Sequence, residues 1–191
     1  PFDFKTAENR IPEDGMPFHG LTWRKDGLVI SLDAFCDTGV RLPTCFVRLT
    51  VENDGAAKTG LPMAVMFRRL RECYAVKGSP DIYEPYETSA DYFRRSEPLE
   101  FRSTIFPDTW KSSSATIRAA RLPEGVEWDG KTASLRFIAL PPPGRPLVLD
   151  LTFGAHDGVA RPQDWETAKT AAAGFWRSEL AKINRLPAAV R

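Results

Sequence analysis

The chain has 191 residues, 42% of them hydrophobic and 27% charged, and its formal net charge is +1. That length holds one sizeable domain, or a domain with an appendage, and the apolar fraction is enough for a core. A near-neutral balance in which basic residues alternate with acids excludes an electrostatic nucleic-acid binder, and no apolar run approaches the roughly 20 residues that span a bilayer.

Residues 1–20 are polar and broken by Pro12, Gly15, Pro17 and Gly20, which predicts an irregular lead-in or one edge strand. A strand pair follows at 21–24 and 28–35, joined by Lys25-Asp26-Gly27. Asp-Gly between apolar stretches is a hairpin signal, because glycine accepts the positive φ of a primed turn. Leu28, Ile30, Leu32 and Ala34 alternate with Val29, Ser31 and Asp33, which gives the second strand a core face. In 44–53, Cys45, Val47, Leu49 and Val51 take one side and Phe46, Arg48, Thr50 and Glu52 the other, before an Asn53-Asp54-Gly55 turn. In 62–70, Met63, Val65 and Phe67 alternate with Ala64, Met66 and Arg68. Period two sustained over three segments predicts an antiparallel β domain.

Residues 71–98 interrupt the pattern. The four tyrosines of the chain, Tyr74, Tyr83, Tyr86 and Tyr92, fall here beside Asp81, Glu84, Glu87 and Asp91. Pro80 and Pro85 rule out a long helix, while Thr88 to Asp91 matches a capping box and predicts a short helix through 92–95. An insertion of this length inside a sheet domain suggests a role. Aromatic faces stack on sugar C–H surfaces and carboxylates accept hydroxyl hydrogens, so Tyr83, Glu84, Tyr86, Glu87 and Tyr92 are carbohydrate-contact candidates. The plainer reading packs the tyrosines on their own domain or on a partner domain. A general acid and base drawn from these acids is the remoter reading, since solvated charge is far commoner.

Strands resume at 99–106, 115–120, 132–140 and 147–153. Trp128-Asp129-Gly130 reads as a hairpin turn, Pro141-Pro142-Pro143-Gly144 as a break, and 107–114, with Trp110 and three serines, as a loop. So many strands exceed one open sheet, so 1–160 should fold as an antiparallel β-sandwich of two packed sheets.

After Gly154 the composition shifts to alanine and helix formers. Trp165, Ala168, Ala172, Phe175, Trp176, Leu180 and Ile183 recur at spacings of three and four, predicting one amphipathic helix over 161–191. Its polar face is mixed in sign, unlike a basic membrane-surface helix. Such a stripe needs a surface to cover, either the sandwich or a further domain. We read the helix as a junction, with Trp165, Phe175, Trp176 and Leu180 as domain-docking residues. The opening at Pro1 without a methionine and the stop at Arg191 fit the expectation of a piece of something larger.

No catalytic group, metal set or cofactor motif emerges. Cys36, Cys45 and Cys73 are too few for a disulfide framework. Cys36 and Cys45 can pair across a tight connection and leave Cys73 free, but three small buried hydrophobes is the commoner pattern. His19 and His156 stand alone, without zinc spacing or a nucleophile motif. Asp33, Asp37, Glu52 and Asp54 lie near strand ends without EF-hand spacing, so turn chemistry accounts for them better than calcium.

The order of parts resembles a known family. Trp23-Arg24-Lys25-Asp26-Gly27-Leu28 and Phe46-Val47-Arg48-Leu49-Thr50-Val51-Glu52-Asn53 lead to the proline-glycine turn before 147–153, and Ala172-Ala173-Gly174-Phe175-Trp176-Arg177-Ser178-Glu179-Leu180 follows. This looks like the N-terminal β-sandwich and linker helix of bacterial glycoside hydrolases whose catalytic domain is an (α/α)6 toroid. The resemblance covers most of the chain in architecture, though the insertion at 71–98 departs from the pattern. It implies a supersandwich-like fold, a catalytic acid and base downstream of Arg191, and a periplasmic or secreted setting. The implied partners are the downstream catalytic domain and an oligosaccharide, with no nucleic acid and no membrane. The expected role is a non-catalytic accessory domain that braces the toroid and lends the 71–98 loop to the rim of a sugar site. The alternative is a free-standing carbohydrate- or protein-binding module whose helix folds back on its own sandwich.

Overall fold

The computed structural model describes residues 6–11, 16–37, 44–70, 96–105, 109–112, 115–120, 122–155, 159–160, 162 and 165–183. The tyrosine-bearing stretch with Tyr83, Glu84, Tyr86, Glu87 and Tyr92, the helix expected at 92–95, Cys73 and His156 lie outside the described residues.

The strands are β1 (Glu8–Arg10), β2 (His19–Lys25), β3 (Leu28–Cys36), β4 (Cys45–Asn53), β5 (Leu61–Met66), β6 (Arg68–Leu70), β7 (Ser96–Pro98), β8 (Phe101–Ile105), β9 (Thr109–Ser112), β10 (Thr116–Ala119), β11 (Glu127–Asp129), β12 (Ser134–Ala139) and β13 (Leu147–Gly154). A helix, α1 (Trp165–Ile183), follows. The β2–β3 hairpin turns at Asp26 (φ 52°) and Gly27 (φ 78°), the primed turn that the Asp-Gly pair predicts. β3 and β4 then pair along their whole length, from Leu28 opposite Asn53 to Cys36 opposite Cys45.

Eight strands form the large sheet in the order β1-β2-β3-β4-β13-β10-β9-β8, and three form the small one, β11-β12-β5. Among the described residues, all the ladders are antiparallel. β6 continues from β5 through Phe67 and pairs with β7; the Phe67 N–H donates to the Ala133 carbonyl at 2.8 Å. The chain is mainly β, a two-sheet antiparallel sandwich followed by one helix.

Period two puts alternate residues of each strand between the sheets. Leu28, Ile30, Leu49, Val51, Leu149 and Leu151 from the large sheet meet Leu135, Phe137 and Ala139 from the small one in a single buried cluster. Each large apolar side chain buried there stabilises the fold by about 1.5–3 kcal/mol. Phe67, Phe101, Trp110 and Trp128 extend the cluster, with Trp110 and Trp128 ring centroids 5.1 Å apart.

Two expectations are corrected. Residues 109–112 form β9 rather than a loop, and Trp110 is 1% exposed. Its strand is fixed by pairing with β8 on one side and β10 on the other, which no local pattern announces. Cys36 and Cys45 are joined as a disulfide rather than lying as buried thiols, and Cys36 is exposed. They are direct partners in the β3–β4 register, 4.1 Å apart at Cα, and register is what brings them together.

Candidate interface on the helix and sheet rim

The face of the large sheet that points away from the small sheet carries Asp33 and Phe35 of β3, Phe46 and Arg48 of β4, and Asp150 and Thr152 of β13. The two phenylalanines are a buried part of this face, covered by α1. Phe35 and Phe46 stack with centroids 5.0 Å apart, and Trp165 of α1 sets its edge against Phe35 at 4.9 Å. Phe18 abuts Phe35 at 5.5 Å, and Ala168, Ala172 and Ala160 complete a second buried cluster.

Polar contacts fix the helix to that seat. Arg48 Nε donates to Asp150 Oδ1 at 2.6 Å and Nη2 to Oδ2 at 3.0 Å, while Nη1 reaches Glu166 Oε1 at 3.0 Å. Hydrogen bonding to Asp150 raises the Arg48 pKa, burial works against it, and both carboxylates add attraction. Upstream of the helix, the Thr152 hydroxyl donates to the Ala160 carbonyl at 2.6 Å and the Ala160 N–H donates to Thr44 Oγ1 at 3.2 Å. Both threonines are buried, and their hydroxyls pair both backbone groups of the half-buried Ala160.

The four predicted docking residues therefore separate. Trp165, 3% exposed, is packed on the sandwich of its own chain and presents no surface to another domain. Trp176 and Leu180 are half-buried, and Phe175 is 37% exposed. Phe175 belongs to the stripe by spacing, yet it lies roughly 80° round the helix from the centre of the inward line through Trp165, Ala172 and Trp176. Its ring meets Trp176 edge-on at 5.3 Å.

Trp176 also closes a groove of about 350 Å³ with Pro17, Ala34, Cys36, Cys45, Val47 and Phe153. Ala34, Cys36, Cys45, Val47 and Phe153 lie on the core-facing side by register, at the sheet end beyond the main cluster, and Phe153 is 42% exposed. The result is an apolar strip of Phe175, Trp176 and Phe153 running from helix to sheet rim.

Arg48, Asp150, Phe35 and Phe46 form the helix seat, and no motif in the sequence marks them. The available signal was two aromatics at the same strand end, each on the face otherwise assigned to polar residues. Asp54 serves a turn as expected, its Oδ1 accepting from the Ala56 N–H at 2.9 Å, and Asp37 accepts from the Thr44 N–H, whereas Asp33 pairs with Arg10 across the sheet instead of serving a turn. Among the described residues, no group of three or more His, Cys, Asp or Glu is placed to hold a metal, and no helix is long and apolar enough to cross a membrane. No family model, no curated protein and no solved structure matches the chain.

Proposed function

We propose that the chain is a non-catalytic accessory β-sandwich of a carbohydrate-active enzyme, a glycoside hydrolase, and that α1 docks the catalytic domain through Phe175, Trp176 and Leu180. The observation that supports this is Phe175, 37% exposed midway along a helix whose first turns are clamped to the sandwich. An aromatic strip held on a rigid support suits a packing partner better than water. A helix fixed at its base also transmits the orientation of the sandwich to whatever packs further along, which is what bracing requires. Tyr83, Glu84, Tyr86, Glu87 and Tyr92 keep their place in the proposal as the loop lent to the sugar site.

The burial of Trp165 against its own sandwich favours the second reading, a free-standing binding module with a folded-back helix. The two readings differ in what Phe175 does. In the complete polypeptide, Phe175→Glu should loosen the junction, seen as faster proteolysis between domains and lower glycosidase activity. The unfolding midpoint of the sandwich itself should stay in place. Unchanged proteolysis and activity would sink the bracing role. Saturable oligosaccharide binding by this chain alone, lost in Tyr83→Ala and Tyr86→Ala, would put the module reading ahead.

A further inference from the structure

The strand register sets Arg10, Gly20 and Asp33 side by side across β1, β2 and β3. Arg10 reaches over the middle strand, and its Nη2 donates to Asp33 Oδ1 at 2.9 Å. A Cβ at Gly20 would stand 2.8 Å from that Oδ1 and 3.2 Å from Arg10 Cβ, so a larger residue there would push against the pair as it stands. Asp33 shares its face with Phe35, and the pair therefore borders the seat of α1. Between them opens a cleft of about 320 Å³, backed by Phe18 and Phe35, with Ile11 and Lys169 at its rim.

Two features give the cleft a chemistry. Arg10 meets Asp33 through one nitrogen, which leaves most of its five guanidinium donors for another acceptor. Lys169, exposed on the same side of α1 as Trp165, is paired with no described residue. Among the described lining residues, two cations, Arg10 and Lys169, face one carboxylate, Asp33, so that lining favours an anion. Its apolar part is accessible: Ile11 is 68% exposed and Phe18 half-buried.

We propose that this cleft binds an acidic sugar residue of an oligosaccharide, its carboxylate held by Arg10 and Lys169 and its ring C–H face against Phe18 and Ile11. The volume is at the small end of ligand sites and suits one sugar ring. The preference for a saccharide rests on the carbohydrate reading above, whereas the preference for an anion rests on the cleft alone. An inorganic anion would use the cations and leave the apolar wall uncovered.

The test is calorimetric titration of the chain with a galacturonic acid disaccharide, the neutral galactose disaccharide and inorganic phosphate. The acidic disaccharide should bind saturably and the other two at least about tenfold more weakly, the loss expected for a missing charge-assisted bond or apolar contact. Lys169→Glu should abolish binding, and Ile11→Ser should weaken the acidic disaccharide; both residues are exposed, so circular dichroism should be unchanged. Phosphate binding as tight as the acidic disaccharide, with Ile11→Ser silent, overturns the proposal in favour of a bare anion site. No saturable binding by folded chain overturns it outright. Phe175→Glu probes a different face, so bracing and acidic-sugar binding fail separately.

Discussion

Arg48 lies over Trp165, its Cζ 4.6 Å from the ring centroid, while the same guanidinium holds Asp150 with two hydrogen bonds. One side chain thus joins β4, β13 and α1. A lysine keeps the charge but has neither the fork nor the flat face. Arg48→Lys should therefore lower stability by about 1–2 kcal/mol, combining a lost bidentate pair and a weaker cation–π contact. Trp165→Ala should lower it by about 3–5 kcal/mol, since it empties a closed aromatic site. Urea unfolding of both variants and of the double variant checks this. A double variant whose loss equals the sum of the two single losses would show that Arg48 and Trp165 do not act together.

The hairpin at Asp26-Gly27 shows what is legible locally. Its φ values follow from the Asp-Gly pair, and the long alternating strands β3, β4 and β13 were readable because one face of each is apolar. Trp110 was not readable, because β9 is short, flanked by serines and held by two neighbours distant from any local signal. The seat of the helix was hidden for a related reason. Phe35 and Phe46 sit on the face that alternation assigns to water, and only the arrival of α1 makes that face an interior. The helical stripe gave the correct residues for Trp165, Ala168, Ala172 and Trp176, but spacing alone does not say which surface they meet. The disulfide depended on register, since Cys36 and Cys45 become neighbours only if β3 and β4 pair without a slip.

Gly27 is needed twice over. Besides its φ of 78°, a Cβ there would press into the backbone of Ala56 and Ala57, 2.7 Å from the Ala56 carbonyl carbon. Gly144 has a similar φ of 74° but open space around it. Gly27→Ala should therefore destabilise by about 2–3 kcal/mol and Gly144→Ala by about 1 kcal/mol, the difference reporting the collision. Equal losses by thermal unfolding would mean that the packing of the β2–β3 turn against Ala56 and Ala57 is unimportant.

Thr152 offers a cleaner test of the polar link beneath the helix. Thr152→Val keeps the shape and removes the hydroxyl, which leaves the Ala160 carbonyl without its 2.6 Å donor. A buried acceptor stripped of its partner costs about 1–3 kcal/mol, and for the half-buried Ala160 carbonyl the cost should be about 1 kcal/mol. The loss should appear as faster amide exchange in the first turns of α1, with the β3–β4 ladder unaffected at mild denaturant. Exchange that accelerates evenly across the sandwich would contradict a local role.

The Asp129 carboxyl sits below the ordinary carboxylate range. The Thr132 hydroxyl is the main cause, the Lys131 N–H the next, and the Arg136 guanidinium adds attraction. A folded pKa below the unfolded one stabilises the fold above the unfolded value, about 4, and the gain is lost as pH falls through the folded value. Asp129→Asn should then be less stable than the parent at pH 7, with the gap closing as the pH falls below about 4. A gap that stays constant from neutral to acid pH would show that ionisation of Asp129 contributes nothing.

The disulfide between Cys36 and Cys45 closes a short stretch, nine residues apart in sequence, at the sheet rim beside Trp176. In the chain-entropy account, a loop of this size contributes about 2–3 kcal/mol by restricting the unfolded chain. The same cross-link holds the last rung of the β3–β4 ladder, one residue beyond the Phe35–Phe46 pair on which Trp165 rests. Reductant should therefore lower the unfolding midpoint of the parent and leave that of the Cys36→Ala/Cys45→Ala double variant unmoved. The double variant should match the reduced parent within about 0.5 kcal/mol, because the two differ only by a pair of thiols at a partly exposed rim. Near-ultraviolet circular dichroism should still report an ordered Trp165 in both, since the Arg48, Phe35 and Phe46 contacts do not pass through sulfur. A parent whose midpoint ignores the reductant would mean that register alone holds this rim of the sheet together.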